Sequence, residues 1–184
     1  MMRWLGPLAV LIVTALGAHW ATLAYAPSVI MDRALQTLKD RGIAEHAFTT
    51  PQRITPQTQV VVRSSPDLFY SLCRFDFGGG VEAVRLEMAA WPDYQSLSFF
   101  DAETNNFATI RKPGAGVETF LLAPSLPNEA GYPQSPTTRG VILIRRLAPT
   151  QSQFEQAKAA SRDDRCEALT FFETVSDRSG QTQD

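Results

Sequence analysis

Hydrophobic patterning divides the chain into three stretches. From Trp4 to Met31 no Lys, Arg, Asp or Glu interrupts the apolar run. At about 1.5 Å per helical residue, residues 4–26 reach about 34 Å, enough to cross a hydrocarbon core of about 30 Å. Trp20 and Tyr25 near its far end suit the headgroup level, where amphipathic rings anchor a span. Pro7 falls in the first turn, where its missing N–H has no partner to lose. The period then becomes helical and amphipathic. Met31, Leu35 and Leu38 share one face, Asp32, Arg33, Lys39 and Asp40 lie elsewhere, and Gly42 supplies a stop. The spacing predicts a membrane helix running on into a short juxtamembrane helix. Its Leu/Met stripe suits packing on the chain's own domain or on the lipid interface, ahead of docking a partner.

Beyond Gln52 the pattern is that of strands, rich in β-branched and alternating residues. Strands are expected at residues 59–63, 68–77, 81–88, 94–100, 119–122 and 140–147, the last being the most apolar and therefore central. Gly78-Gly79-Gly80, between two alternating runs, predicts a hairpin turn. A phosphate cradle needs a following Lys-Ser/Thr and a helix, and neither follows. Trp91-Pro92-Asp93 and the segment DAETNNF from Asp101 read as turns. Residues 124–136 carry four prolines and one glycine, an irregular loop. Thr150 and Gln153 fit a capping box ahead of Phe154, Ala157 and Ala160, which share a helical face. The sum predicts a mainly-β domain, sandwich or open barrel, with one or two short helices, preceded by a single N-terminal transmembrane helix. The expected divisions are an anchor at 1–27, a juxtamembrane helix and linker at 28–50, a β-rich domain at 51–175 and a polar tail at 176–184.

Charge adds little to this picture and removes some classes. Seventeen Lys and Arg stand against nineteen Asp and Glu, a formal net charge of −2. The signs are interspersed, so no basic stripe suits nucleic acid. A cleaved signal peptide competes with an uncleaved anchor. Leu16-Gly17-Ala18 lacks the small residue a peptidase wants three before the cut, and Ala24-Tyr25-Ala26 is followed by Pro27. The uncleaved anchor is the better reading. Arg33, Lys39 and Arg41 outnumber Arg3 across the span, which favours a cytoplasmic domain. The cysteines point the other way. Cys73 in a strand and Cys166 after the late helix suit a structural disulfide in an exported domain. Closing that loop stabilises by about 4–5 kcal/mol on the chain-entropy description. There is no CxxC, and two cysteines with the remote His19 and His46 make no zinc site, so neither metal nor cofactor is expected. His19 reads as a neutral imidazole near the outer interface rather than a proton relay.

Candidate chemistry sits at strand ends. Asp67, Tyr70, Asp101, Asn105 and Asn106 offer two carboxylates for acid and base work, provided that they meet. Such residues at turns more often bond their own backbone. Arg145-Arg146 can clasp an anion, although alternation points one of the two inward as a structural arginine. Outside the membrane segment His46 is the only histidine, and no GxSxG elbow exists, which disfavours a Ser-His-Asp nucleophile.

The blocks RSSPDLFYSLCRFDFGGG and VEAVRLEMAAWPDYQSLSFFDAETNNFATI, from Arg63 to Ile110, resemble the family called domain of unknown function 1254. Ser135-Pro136-Thr137, followed by an apolar strand ending in Arg145, is similar to a later element of that family, and the likeness covers about residues 50–150. Where long relatives have an asparagine and a threonine around the first aspartate, this chain has Ser65 and Leu68. The resemblance implies a mainly-β fold and an exported or envelope location in bacteria. Longer relatives carry a second β domain, the domain of unknown function 1214. By analogy a separate polypeptide supplies that domain here. The expectation is a binding or assembly module, single-pass in the inner membrane through residues 4–26, with its C-terminal domain in the periplasm. The alternative is a hydrolase-like envelope enzyme with a carboxylate-based site at the strand ends.

Overall fold

The computed structural model describes residues 5–55 and 64–170. The strand expected at 59–63 and the polar tail at 176–184 lie outside the described residues.

One helix, α1, runs from Leu5–Asp40 and carries Pro27 inside it without ending there. It is long and apolar enough to span a membrane. Its two parts bury differently. Val13 and Trp20 are each 70% exposed, whereas Met31 and Leu35 are buried. The latter pair packs with Ala34 and Leu38 on Leu72, Phe100 and Val141 of a sheet. The Met31–Leu35–Leu38 stripe therefore docks on the chain's own domain. An Asp32–Arg139 ion pair at 2.7 Å flanks the contact. After Gly42, which takes φ 76 to leave the helix, the chain runs along the edge of the first strand. Thr49 and Leu72 exchange backbone hydrogen bonds there at 2.8 and 2.9 Å.

Among the described residues seven strands form two antiparallel sheets. They are β1 (Leu68–Asp76), β2 (Ala83–Met88), β3 (Gln95–Phe100), β4 (Asn106–Arg111), β5 (Val117–Leu122), β6 (Arg139–Leu147) and β7 (Arg165–Leu169). The first sheet has the order β1-β6-β3-β4 and the second β5-β2-β7. The apolar β6 is central, paired with β1 and β3, as its composition requires. Alternation drives the assembly: Cys73 and Phe75, Leu97 and Phe99, and Ile142 and Ile144 face inward from one sheet. Val84, Leu86, Met88 and Leu121 meet them from the other, forming one core. The Cys73–Cys166 disulfide joins β1 to β7, and so staples the two sheets across that core.

The triple glycine does not make a hairpin. β1 and β2 belong to different sheets, and Gly78–Gly80 is a short 3-10 turn that carries the chain between them. Asp76 Oδ1 accepts the Gly78 N–H at 2.7 Å, and Gly79 and Gly80 take φ 67 and 86. Both runs do form strands, but alternation cannot distinguish strands that pair side by side from strands that face each other through a core. Two strands went unforeseen. β4 is a half-exposed edge, and β7 buries only Cys166 among its five residues, so neither has a strong period.

The late helix α2 (Gln151–Ala160) forms with both halves of the Thr150/Gln153 capping box in place. Its buried face, Phe154 and Ala157, packs with Phe69, Trp91 and Ala148 in a second apolar cluster. Arg53 fastens the linker to this helix, donating to Gln151 Oε1 and the Pro149 carbonyl, each at 2.7 Å.

Candidate functional site

The residues singled out at strand ends are dispersed. Leu68 lies opposite Leu147 and Phe100 opposite Val141 on the same strand β6. Asp67 and Asp101 each lie one residue further out, so about eight residues at about 3.4 Å each put them about 27 Å apart, at opposite ends of the sheet. They do not form an acid–base pair. Asp67 is exposed at the start of β1, its backbone carbonyl accepting the Ala148 N–H at 2.8 Å. Asp101 is buried and fully engaged as a turn cap. Its Oδ1 accepts the N–H groups of Glu103 and Asn105, both at 2.8 Å, and its Oδ2 accepts Asn105 Nδ2 at 3.0 Å. Asn106 Oδ1 accepts the Thr109 hydroxyl at 3.0 Å. Tyr70 and Arg145 do come together as register partners on the outer face of the first sheet. The Tyr70 hydroxyl accepts the Ser65 N–H at 3.0 Å, while the Arg145 guanidinium lies over the Phe100 ring at 5.9 Å.

Arg146, next in sequence, is the inward arginine. It is fully buried and makes a bidentate pair with Asp164, Nη1 to Oδ2 at 2.8 Å and Nη2 to Oδ1 at 2.6 Å. Asp164 also accepts the Ala89 N–H at 3.0 Å and the Ser71 hydroxyl at 3.4 Å. The Ala89 carbonyl accepts Arg146 Nη2 at 3.1 Å. Four separate chain segments are thus tied at one buried point. Alternation in GVILIRRL signals that one arginine of the doublet is buried. Nothing local in the sequence signals Asp164 as its partner.

Beside this knot opens a cleft of about 510 Å³. One wall is the linker, with His46, Ala47, Phe48 and Thr50; the other is the end of α2 and the start of β7, with Lys158, Ser161, Arg162, Asp164, Arg165, Cys166 and Glu167. Three of these side chains are cationic. The Asp164 carboxylate is already neutralised by Arg146, which leaves Glu167 as the opposing charge. None of the ion pairs among the described residues involves Lys158, Arg162 or Arg165. Arg165 Nη1 instead donates to the carbonyls of Arg162 at 2.8 Å and Asp164 at 3.3 Å. His46 holds φ 54, and its Nδ1 is buried with no hydrogen-bond partner. A lone histidine and a basic helix end give no motif, which is why sequence reasoning passed over this cleft. Glu118 and then Glu87 beside the exposed Arg85 raise its pKa above the ordinary arginine value, and Glu167 of the cleft wall, the register partner of Arg85, belongs to the same surface charge network.

These features define a two-sheet antiparallel β domain behind a helix long enough to cross a bilayer. The chain belongs to the family DUF1254, proteins of unknown function, which it matches over residues 46–168. The cleft walls stand at the two ends of that matched segment, so its ends meet in space. Among solved structures the chain is similar to the VPA0106 protein of Vibrio parahaemolyticus, with TM-score 0.58 and 12% identity. That alignment covers 84% of this chain and 40% of the other, so the chain spans well under half the length of that relative. An uncharacterized protein from Burkholderia cenocepacia matches at TM-score 0.45 and 14% identity, over 73% of this chain and 39% of the other. At such identities the likeness to VPA0106 concerns the fold alone. No curated protein matches the chain.

Proposed function

We propose that this protein is a binding or assembly module tethered to the bacterial inner membrane through residues 4–26, its β domain in the periplasm, serving a separate protein that carries the domain of unknown function 1214. The observation that carries the reading is the docking of α1 on the first sheet. Met31 and Leu35 are buried against the domain, so the helix that enters the membrane also orients the sandwich. A rigidly presented β domain suits holding a partner at a fixed distance from a bilayer. The Cys73–Cys166 disulfide supports an oxidising compartment. In VPA0106 the matching fold makes up 40% of the chain, which supports a surface on this fold that meets further polypeptide. The separation of Asp67 from Asp101 weighs against a carboxylate-based hydrolase.

Two measurements test this. Alkaline phosphatase fused after Asp184 is expected to be active, and a fusion active only as a cytosolic reporter removes the periplasmic assignment. Affinity purification from detergent-solubilised membranes is expected to recover a polypeptide with the second β domain. Recovery of the chain alone, with crosslinker present, sinks the assembly role.

A further inference from the structure

We infer that the cleft between the linker and the end of α2 is a binding site for an oxyanion, a carboxylate or a phosphate group, held by Lys158, Arg162 and Arg165 with His46. The volume, about 510 Å³, is that of a small-molecule site. Its charge is opposite to that of the molecule: the chain carries net −2, yet the cleft gathers three cations against the carboxylate of Glu167, which stands opposite Arg85 in the β2–β7 register. The neighbouring Asp164 cannot neutralise them, because both its oxygens are committed to Arg146, Ala89 and Ser71. Lys158 and Arg162 are exposed at the cleft and take part in none of the ion pairs among the described residues.

A basic helix end alone is an ordinary solvated face, since Lys158 in the last turn of α2 also favours the helix dipole. The opposite wall supplies an independent observation. His46 is held in the left-handed region at φ 54, a conformation that is strained for a residue with a side chain. It is fixed there by its N–H to the Arg74 carbonyl at 2.9 Å and by the Glu45–Arg74 bridge. That backbone sets the imidazole in the cleft wall, across from Lys158 and Arg162. Charge-assisted hydrogen bonds from the guanidinium and ammonium groups on the facing wall are the strong kind that hold an anion.

The test uses the full chain in neutral-detergent micelles, titrated calorimetrically with inorganic phosphate and with succinate. Saturable binding is expected, weakened about tenfold by Arg162→Ala and by Lys158→Ala, the cost of one charge-assisted hydrogen bond. Arg111→Ala, on the far edge of the first sheet, leaves it unchanged. Glu167→Gln tightens binding by removing the opposing charge, a gain that misfolding cannot mimic. Micelles doped with phosphatidylglycerol identify the source. If that lipid competes with phosphate in wild type and does so less after Arg162→Ala, the natural oxyanion is a headgroup; if it does not compete, the ligand is soluble. Failure of phosphate, succinate and the doped micelles alike to bind overturns the inference, as does binding indifferent to Arg162, Lys158 and Glu167. The assay needs neither a partner protein nor a periplasmic location, so its outcome is separable from the assembly role.

Discussion

Two charged regions lie within a few residues of each other at the start of β7, and they are built in opposite ways. In the knot, the Arg146 and Asp164 side chains are both fully buried and pair bidentately, Ala89 and Ser71 add further hydrogen bonds, and Arg146 Nε is left without a partner. In the adjoining cleft, Lys158 and Arg162 are exposed and enter no ion pair among the described residues. Charges paired to each other inside the protein build the fold. Charges left open at a concave surface are available to something else. Asp164 belongs to both regions, since it lines the cleft yet faces the knot, and it keeps the cleft basic by being already neutralised.

The strongest way to break the comparison is at the staple beside the knot. Cys166 lies two residues beyond Asp164, and its disulfide closes a separation of 93 residues. Replacing both Cys73 and Cys166 by alanine should lower stability by about 4–5 kcal/mol on the chain-entropy description. Urea unfolding in micelles measures it, and a loss near zero means that the knot alone holds β7 to the first sheet. Next comes the knot. Arg146→Leu should cost about 3–5 kcal/mol because Asp164 is left buried and unpaired, whereas the Arg146→Leu/Asp164→Leu double variant should recover much of that. If both variants lose equally, packing rather than charge pairing dominates there.

Gly140→Ala probes the sheet without touching either charged region. An added Cβ would stand 2.1 Å from the Phe100 carbonyl oxygen and 2.6 Å from Phe75 Cζ, so a loss of about 1–3 kcal/mol from overpacking is expected in the same unfolding assay. The smallest effect sharpens the comparison most. Arg162→Ala should change stability by no more than about 0.5 kcal/mol, as for a surface residue outside special features. A large destabilisation would mean that the cleft cations are part of the scaffold after all.

How much of this was legible in the sequence depended on whether the physical signal was local. The capping box at Thr150, the stripe Met31–Leu35–Leu38, the central strand GVILIRRL and the turn at Asp101 all rest on interactions within a few residues, and each is present. The hairpin at Gly78-Gly79-Gly80 failed because strand pairing is set by residues far apart: β1 pairs with β6, and β2 with β5 and β7. The same distance hid the charged regions. Arg146 meets Asp164, and His46 meets Lys158 and Arg162 around one cleft, only after the linker returns along β1. Strand-end carboxylates drew notice because their residue types suit chemistry, yet residue type carries no information on whether two side chains converge.

By itself the sequence determined the apolar span, the helix that continues it, the mainly-β character and the cysteines able to cross-link it. These follow from hydrophobic period and backbone propensity, which act over one or two turns of chain. Which strands pair and which face each other, which arginine of the doublet is buried, and where cations gather unopposed were decided only in three dimensions. Those outcomes depend on contacts between segments up to about a hundred residues apart, whose closure entropy rises only slowly with loop length and so leaves little local trace.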